Sequence, residues 1–343
     1  MKIAVLCGGR SNERDVSLST GTTVARALRK SGHDVVILDA CVGMELTCSP
    51  DEVFTMNLPI EDYSISDESP DVRSFFERKE GFFGRNVLEI CRAADIVFNA
   101  LHGAEGENGK LQATFDLIGI RYTGSSAQGC MLAMNKCIAK QLFSENGIPT
   151  PPGIYLNKSD YDSCITPEFG FPCVVKPGSL GSSVGVSIAR DERELEAAIE
   201  TAFRFEDLVI IEKYIHGREF SVGIVGGRKM PAIEIVPKQG FYDYKNKYQP
   251  GFTEEICPAD IDAETAEKMG DTALKVYRVL GLGAYARVDF MLDETGFYCL
   301  EANTLPGMTP LSLLPQEAAA AGIDFPALLE IIIEESLNIN RLY

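Results

Sequence analysis

The first forty residues constrain the fold of this chain more than any other segment. An apolar, β-prone run over 2–7 ends at Gly8-Gly9, helical spacing follows over 17–30, and a second apolar run covers 33–38. This order of strand, glycine-rich turn, helix and strand predicts a βαβ unit with a parallel sheet. The turn lacks the G-x-G-x-x-G pattern, so the sequence does not support a dinucleotide-binding fold.

The rest of the chain favours antiparallel hairpins with helices between them. Predicted strands cover 95–101, 121–123, 171–176, 184–189, 208–214, 219–225, 229–236, 284–292 and 297–301. Predicted helices cover 86–92, 110–117, 127–146, 191–203 and 263–280, and two more start at Leu313 and Phe325. With 343 residues the chain exceeds one hydrophobic core. We predict an α/β fold with a parallel N-terminal domain (1–124), a small central domain (125–215) and an antiparallel C-terminal domain (216–343).

Composition narrows the class of partner and the compartment. With 32 basic and 50 acidic residues the formal charge is −18, which disfavours nucleic acid and anionic membranes as partners. Ten scattered cysteines without a C-x-x-C pair indicate reduced thiols in a cytosolic protein. No apolar stretch approaches the roughly 18 residues of a membrane span. The first apolar run reaches Gly8 too early for a signal-peptide core. We therefore expect a cytoplasmic protein.

Residues 41–80 interrupt this pattern. They carry many acidic residues and three prolines, with weak periodicity. We interpret them as a surface excursion with a short helix at 71–78.

A glycine-serine hairpin tip at 177–183 follows Lys176. Backbone N–H groups of Gly and Ser can approach phosphate oxygens closely, and Lys176 would add a fixed positive charge. The alternative is a plain flexible hairpin. The tip is not a Walker A loop.

Acidic and amide side chains recur on two adjacent predicted strands. Asp289 lies within one strand, and Glu301 and Asn303 end the next. Residues two apart on a strand share a face, so Glu301 and Asn303 can point toward Asp289. Two carboxylates and an amide oxygen suit magnesium held against a triphosphate. The alternative is an ordinary solvated sheet face.

Two further loops carry candidate groups. The loop 303–309 offers the backbone N–H of Gly307 beside Arg287, a pair that could stabilise an oxyanion; a simple turn is the alternative. The aromatic and basic loop 241–252 could close over anionic phosphates; a surface loop with extended lysines is the alternative.

Glu13 and His102 follow the carboxyl ends of two predicted parallel strands. Ligands of open α/β sheets bind at such strand ends. Alternatively, Glu13 only complements the dipole at a helix N-terminus, and His102 is a structural histidine.

Together these segments resemble the ATP-grasp superfamily and, within it, the D-alanine–D-alanine ligases. The motifs are 8–17 (GGRSNERDVS), 101–109 (LHGAEGENG), 134–136 (MNK), 176–185, 242–248 and 301–312. They follow the family's order from residue 1 to about 320 in the sequence, and their combination is far more specific than any one of them.

The resemblance implies a role for each matching residue. ATP would lie between the second and third units, with its phosphates on Lys136, Lys176 and Lys247. Its adenine and ribose would meet Glu212, Lys213, Ile215 and Glu219. Two Mg²⁺ ions, with Mn²⁺ as an alternative, would bind Asp289, Glu301 and Asn303. Glu13 would hold the first D-alanine's ammonium, with His102 near it, and Ser312 and Leu313 the second D-alanine's carboxylate. Glu13, Ser182 and Tyr248 would form a hydrogen-bonded set, and Arg287 and the Gly307 N–H would stabilise the tetrahedral intermediate.

The resemblance also implies the reaction and the assembly. A carboxylate is a poor electrophile, so ATP would convert the first D-alanine to an acylphosphate, which the second amine would attack. A lid at 241–252 would keep water out. The product would serve peptidoglycan precursor synthesis, and the enzyme would be a homodimer.

Alternatives to this function remain open within the sequence. The second substrate could be D-serine or D-lactate, although the Tyr at 248 is typical of ligases that use D-alanine. A catalytically silent ATP-binding protein is the other alternative. The chain departs from the family pattern at Asn108, where Asp is usual, and in extra residues within 41–80. Neither departure falls on a proposed ligand, but Asn108 could shift the loop behind His102.

Overall fold

The computed structural model describes residues 1–63, 65, 70–77, 81–161, 165–181, 184–238, 252–309 and 311–339. Within these ranges three sheets lie one after another along the chain, and each falls inside one predicted domain. The domain boundaries themselves stay a prediction. No helix in the described ranges is long and apolar enough to cross a membrane. The described cysteines are free thiols, most of them buried, as their scattered spacing predicts.

The N-terminal sheet is parallel, with strand order β2-β1-β3. Its strands are β1 Lys2–Cys7, β2 Asp34–Asp39 and β3 Ile96–Asn99, and its helices are α1 Arg14–Lys30, α2 Arg73–Phe76, α3 Val87–Ala93, α4 Ala104–Glu107 and α5 Lys110–Ile118. The central strand β1 is apolar and buried on both faces, as expected for a parallel sheet with layers on each side. The strand predicted at 121–123 is present only as a single parallel bridge between Val97 and Tyr122.

Part of the excursion at 41–80 is more deeply buried than its composition predicts. Val53 and Phe54, in a short 3₁₀ turn, are buried and join the core cluster that contains Leu6. Further along, the Tyr63 hydroxyl donates to Asp15 Oδ1 at 3.1 Å. The excursion therefore packs against the loop and helix that follow β1.

The central sheet is antiparallel, with strand order β4-β7-β5-β6. Its strands are β4 Gly153–Asn157, β5 Cys173–Pro177, β6 Ser187–Ala189 and β7 Leu208–Lys213, and its helices are α6 Ala127–Met134, α7 Lys136–Glu145 and α8 Glu192–Ala202. Strands β5 and β6 form the predicted hairpin, with Val174 opposite Ile188.

Two helices replace the single helix predicted over 127–146. Asn135 adopts an extended conformation between α6 and α7, and its side chain caps α7 by accepting from the Ile138 N–H at 3.1 Å. Asparagine is a favoured N-cap because its oxygen satisfies an otherwise unpaired amide of the first turn. The break starts α7 at Lys136, whose own N–H donates to the Gly178 carbonyl at 2.8 Å.

The C-terminal sheet is antiparallel, with order β11-β10-β8-β12-β13 and β9 paired to β8. Its strands are β8 Arg218–Val225, β9 Arg228–Lys229, β10 Ile233–Pro237, β11 Thr253–Ile256, β12 Tyr285–Asp293 and β13 Gly296–Asn303. The helices are α9 Ala263–Val279, α10 Leu313–Ala320 and α11 Phe325–Asn338. The single strand predicted over 229–236 is therefore two short strands.

Helices cover both faces of this sheet. Apolar residues of α9, such as Val276, join the core formed by Phe220, Val222 and Ile224 of β8. On the other face, α10 and α11 share a core with β1 and α1 of the N-terminal domain. The N-terminal and C-terminal domains are thus packed together, which holds the loops after β1 and β3 beside the C-terminal sheet.

Candidate active site

A pocket of about 370 Å³ lies between the central and C-terminal sheets. Its walls include eight of the residues that the sequence singles out: Lys136, Lys176, Glu212, Lys213, Ile215, Glu219, Asp289 and Glu301. They come from α7, β5, β7, β8, β12 and β13 and from the segment after β7. The fold thus brings together residues up to 165 positions apart, Lys136 and Glu301 being the outermost.

Lys136 connects the two sheets across this pocket. Its Nζ donates to the Leu180 carbonyl at 2.9 Å, on the hairpin tip, and lies 3.0 Å from Glu301 Oε2 on β13. The lysine is nearly buried, so its charge acts with little screening by water.

A second, deeper ion-pair group lies behind the hairpin. Lys176 Nζ is 2.5 Å from Glu212 Oε2, and Lys140 contacts the other carboxylate oxygen of Glu212. Burial alone would lower the pKa of Lys176, but the Glu212 and Glu301 carboxylates outweigh burial and the pKa is raised. Burial would raise the pKa of Glu212, yet the two lysines hold it below its usual value. Glu212 and Lys176 are therefore a charged pair.

The predicted metal ligands meet on the face of the C-terminal sheet that borders the pocket. Asp289 lies opposite Glu301 and Arg287 lies opposite Asn303 in the β12–β13 pairing, as the sequence spacing predicts. Asp289 accepts from Arg287 Nε at 2.9 Å, and from the Asn303 side-chain amide and the Ser221 hydroxyl at 2.8 Å each. These contacts hold the carboxylate in one orientation.

The residues present fit a hard divalent cation. Two carboxylates and one amide oxygen on adjacent strands are the oxygen ligands that Mg²⁺ accepts beside a triphosphate. Among the described residues no three His, Cys, Asp or Glu side chains form a metal cluster, so the set depends on the Asn303 amide and on oxygens from a ligand.

The loops after β1 and β3 form a second part of the site. A Cβ placed on Gly103 would lie 2.6 Å from Glu13 Oε2, and one on Gly181 would lie 3.5 Å from the same oxygen. Glu13 therefore lies between the His102 loop and the hairpin tip of the central sheet. A side chain at position 103 would displace this carboxylate, whereas a Cβ at position 181 would only touch it.

His102, which is buried, and Glu107, which is partly buried, place two polar side chains on the same loop. His102 Nε2 is 3.0 Å from Thr20 Oγ1, and burial lowers the His102 pKa. Glu107 accepts from the Gly103 N–H at 2.8 Å. Burial, reinforced by the nearby Glu13 carboxylate, raises the pKa of Glu107 to about 8.

The start of α10 faces Gly307. Ser312 is the N-cap of α10, and its Oγ lies 3.0 Å from the Thr309 N–H. A Cβ on Gly307 would lie 2.6 Å from Ser312 Oγ, so only glycine allows this approach. Leu313 is the first residue of the helix and is buried. A helix N-terminus with free N–H groups favours a carboxylate.

Three predicted site residues, and nearly all of the predicted lid, lie outside the described residues. Ser182, Lys247 and Tyr248 belong to ranges that the structure does not describe, as does the lid except for Phe252.

Sequence reasoning missed three ionisable residues near the site. Lys140 and Glu317 are fully buried, and Glu107, which is partly buried, lies in the 101–109 motif but has no predicted role. Lys140 could have been noticed, since it follows Lys136 by one helical turn and so shares its face. Glu317 gives no such signal, because only its packing against β8 places it near Arg287.

Two antiparallel sheets holding a pocket of lysines and carboxylates, beside a parallel N-terminal domain, define the ATP-grasp class of enzyme. Comparisons with known proteins agree and are more specific. The family models described as D-ala D-ala ligase N-terminus and C-terminus match residues 2–125 and 142–334. The chain belongs to the D-alanine–D-alanine ligase family.

Individual relatives match along their whole length. The D-alanine–D-alanine ligase of Pediococcus pentosaceus is 47% identical, covering 100% of this chain and 99% of its own. That of Lacticaseibacillus casei is 45% identical, with 99% and 96% covered. Among solved structures, D-alanine–D-alanine ligase from Bacillus anthracis complexed with ATP superimposes with a TM-score of 0.75 at 34% identity, covering 98% of this chain and 97% of that one.

Proposed function

We propose that this chain joins two D-alanine molecules into D-alanyl-D-alanine with conversion of ATP to ADP and phosphate. The observation that carries the proposal is the pocket between the sheets. There Lys136 and Lys176 lie beside the Asp289–Glu301 pair, in a chain whose family is that of the D-alanine–D-alanine ligases.

The nucleotide occupies this pocket. Its phosphates lie toward Lys136 and Lys176, and Lys247 of the lid completes the set. The adenine and ribose lie toward the end of β7 and the start of β8. Glu212, Lys213, Ile215 and Glu219 line that part of the pocket. Because Glu212 already pairs with two lysines, its role is to hold Lys176 as well as to line the wall.

Asp289, Glu301 and Asn303 hold two Mg²⁺ ions, with Mn²⁺ as an alternative. When bound, the metal neutralises charge on the phosphates during transfer. Lys136 contacts both Glu301 and the hairpin tip, so it ties the metal side of the pocket to the phosphate side.

Each of the two amino-acid substrates has its own set of residues. Glu13 pairs with the ammonium of the first D-alanine, within reach of His102. Ser312 and Leu313, at the N-terminus of α10, receive the carboxylate of the second D-alanine. Glu13 also forms a hydrogen-bonded set with Ser182 and Tyr248.

The reaction follows from these positions. The first carboxylate attacks the γ-phosphorus and ADP leaves, which gives an acylphosphate. The second amine, after losing a proton, attacks the acyl carbon, and phosphate leaves from the tetrahedral intermediate. Arg287 and the Gly307 N–H stabilise the oxygen that becomes negative in that intermediate. The lid at 241–252 excludes water, which would otherwise hydrolyse the acylphosphate.

The biological setting belongs to the same proposal. The enzyme acts in the cytoplasm as a homodimer and supplies the dipeptide for peptidoglycan precursors. Reduced cysteines and a net charge of −18 are compatible with this setting.

The test measures phosphate release with ATP, Mg²⁺ and D-alanine, D-serine or D-lactate, each alone and mixed with D-alanine, with products identified by mass. D-alanine alone should give ADP, phosphate and the dipeptide. Release only with a mixed pair would move the second-substrate assignment to D-serine or D-lactate. Tight ATP binding without release in any mixture would favour a silent ATP-binding protein.

A further inference from the structure

Lys140 is a fully buried cation behind the phosphate side of the pocket. It lies on α7, one turn after Lys136, and does not line the pocket itself. Its Nζ contacts Glu212 Oε1 and donates to Thr150 Oγ1 at 2.9 Å, and it approaches the Cys299 carbonyl at 3.5 Å. Three segments besides α7 therefore meet at one ammonium group.

The contacts of Lys140 are those of a charged lysine. Burial lowers its pKa, and the Glu212 carboxylate opposes that effect. A buried ammonium needs a counter-charge and acceptors, and Lys140 has one carboxylate and two oxygen acceptors. The neighbouring Cys299 thiol adds no negative charge, because burial raises its pKa.

Glu212 pairs with two lysines, and this sharing sets the net charge at the wall of the pocket. With Lys140 and Lys176 both charged and Glu212 ionised, the three groups carry a net charge of +1. Without Lys140, Glu212 would be neutralised by Lys176 alone and the group would be neutral. Lys176 and Glu212 both line the pocket, whereas Lys140 does not, so Lys140 can act on a ligand there only through these two residues.

We propose that Lys140 is a positioning residue for the nucleotide phosphates: it neutralises Glu212, so that the positive charge of Lys176 remains available to the triphosphate. This inference rests on the proposed placement of the phosphates beside Lys176. Lys140 acts without touching the ligand, and its effect is confined to the charged part of the nucleotide.

A purely structural role makes a different prediction. If Lys140 only fastened α7 to β7, its loss would distort the pocket and weaken adenosine and ATP alike. If Lys140 sets the charge, its loss weakens ATP and leaves adenosine nearly unchanged. The ratio of ATP affinity to adenosine affinity therefore separates the two roles.

The experiment measures this ratio by calorimetry with ATP and Mg²⁺, and by competition with adenosine, in the full-length chain. We expect Lys140→Met to lower the ratio about tenfold, since one charge within about 10 Å of a phosphate matters on that scale at an effective dielectric near 20. Lys158→Met is the matched control. Lys158 also faces a carboxylate, Asp207 at 3.8 Å, but is half exposed and lies off the pocket. Its ratio should equal that of the wild type.

Charge restoration makes the test decisive. The double variant Lys140→Met, Glu212→Gln returns the group to +1, so its ratio should recover to within about threefold of the wild type. Glu212→Gln alone leaves two lysines and should keep or raise the ratio, which tests the idea even if Lys140→Met does not fold. Failure of the double variant to recover, or a fall in the ratio for Glu212→Gln, would overturn the inference.

The wild type separates this inference from the proposed function. If the wild type binds ATP no more tightly than adenosine, the phosphate placement itself is wrong. If the wild type prefers ATP and Lys140→Met prefers it equally, the placement stands and the role of Lys140 is wrong.

Discussion

Two regions of this molecule differ in whether their carboxyl groups have a cationic partner. In the pocket between the central and C-terminal sheets, three carboxylates each have a cationic partner: Glu212 has Lys140 and Lys176, Glu301 has Lys136, and Asp289 has Arg287. Near Glu13 and Ser312, Glu107 and Glu317 form no ion pair with a lysine or arginine among the residues that the structure describes, and the one neighbouring base of Glu107 is His102, at 3.9 Å. Burial raises the pKa of each to about 8.

The presence or absence of a cationic partner bears on which carboxyl groups stay negatively charged. The two lysines lower the pKa of Glu212, so this carboxylate keeps its charge and can orient Lys176. Glu107 and Glu317, whose pKa values burial raises to about 8, are close to neutral at pH 7, so they would not repel the carboxylates of D-alanine molecules bound as proposed. The predictions below test this contrast, beginning with the largest effect.

Glu301→Ala removes a carboxylate from the paired region and should have the largest effect. We expect turnover to fall by about 10³-fold or more, since a metal ligand and the partner of Lys136 are lost together. Phosphate release measures turnover, and circular dichroism reports the fold. Glu196→Ala, on the exposed face of α8, is the control and should retain full activity. A normal rate in Glu301→Ala would refute the metal assignment.

Arg287→Met tests the cation side of the same region. Turnover should fall by about 10²–10³-fold, because the guanidinium would no longer stabilise the tetrahedral oxygen. The KM for ATP should change much less, since Arg287 is proposed to act on the acyl group. Steady-state kinetics with each substrate varied in turn measures both. An equal loss in ATP binding would place Arg287 in the nucleotide site instead.

Glu317→Gln tests the unpaired region through stability. Glu317 is fully buried on α10 and, among the residues that the structure describes, neither carboxyl oxygen has a hydrogen-bond partner. Its pKa is raised by burial above the ordinary value of 4.5 to about 8. Between these two pH values the folded state binds more protons than the unfolded state, so this group makes stability fall as pH rises.

The expected outcome of Glu317→Gln follows from that sign. The variant should lie within about 1 kcal/mol of the wild type near pH 5 and be more stable by about 4 kcal/mol near pH 8.5, as urea unfolding would measure. Glu334→Gln, at an exposed position of α11, should change stability at neither pH. A stability difference that does not depend on pH would mean that Glu317 does not titrate in this range.

Asn135→Ala tests how the paired region is positioned and should have the smallest effect. Loss of the cap at the start of α7 should cost about 1 kcal/mol of unfolding free energy. The KM for ATP should rise slightly, because the cap fixes the turn from which Lys136 extends. Thermal unfolding and kinetics measure the two effects. Asn135→Asp, which can also cap, should recover both, and an unstable Asn135→Asp would argue against capping.

Local patterns in the sequence predicted much of the fold. Alternation and glycine turns located the parallel opening and the β5–β6 hairpin, and two-residue spacing placed Glu301 and Asn303 on one face with Asp289. Such features depend on neighbours in the chain, so composition and periodicity reveal them. The roles of the site residues stay predictions.

The features that the sequence did not predict depend on tertiary contacts. The break at Asn135 depends on the contact between the Lys136 N–H and the Gly178 carbonyl, some 40 residues away. The burial of Val53 and Phe54 depends on β1 and its neighbours, and Glu317 reaches its position only because Gly223 lacks a side chain. Periodicity carries no information about such partners.

The most direct test of the central claim follows one oxygen atom. D-alanine labelled with ¹⁸O in both carboxyl oxygens is supplied with ATP and Mg²⁺, and the released phosphate is analysed by mass. If the pocket phosphorylates the first carboxylate, each phosphate carries one ¹⁸O atom and the dipeptide's amide carbonyl keeps the other. Unlabelled phosphate released together with dipeptide would contradict an acylphosphate and with it this account of the site.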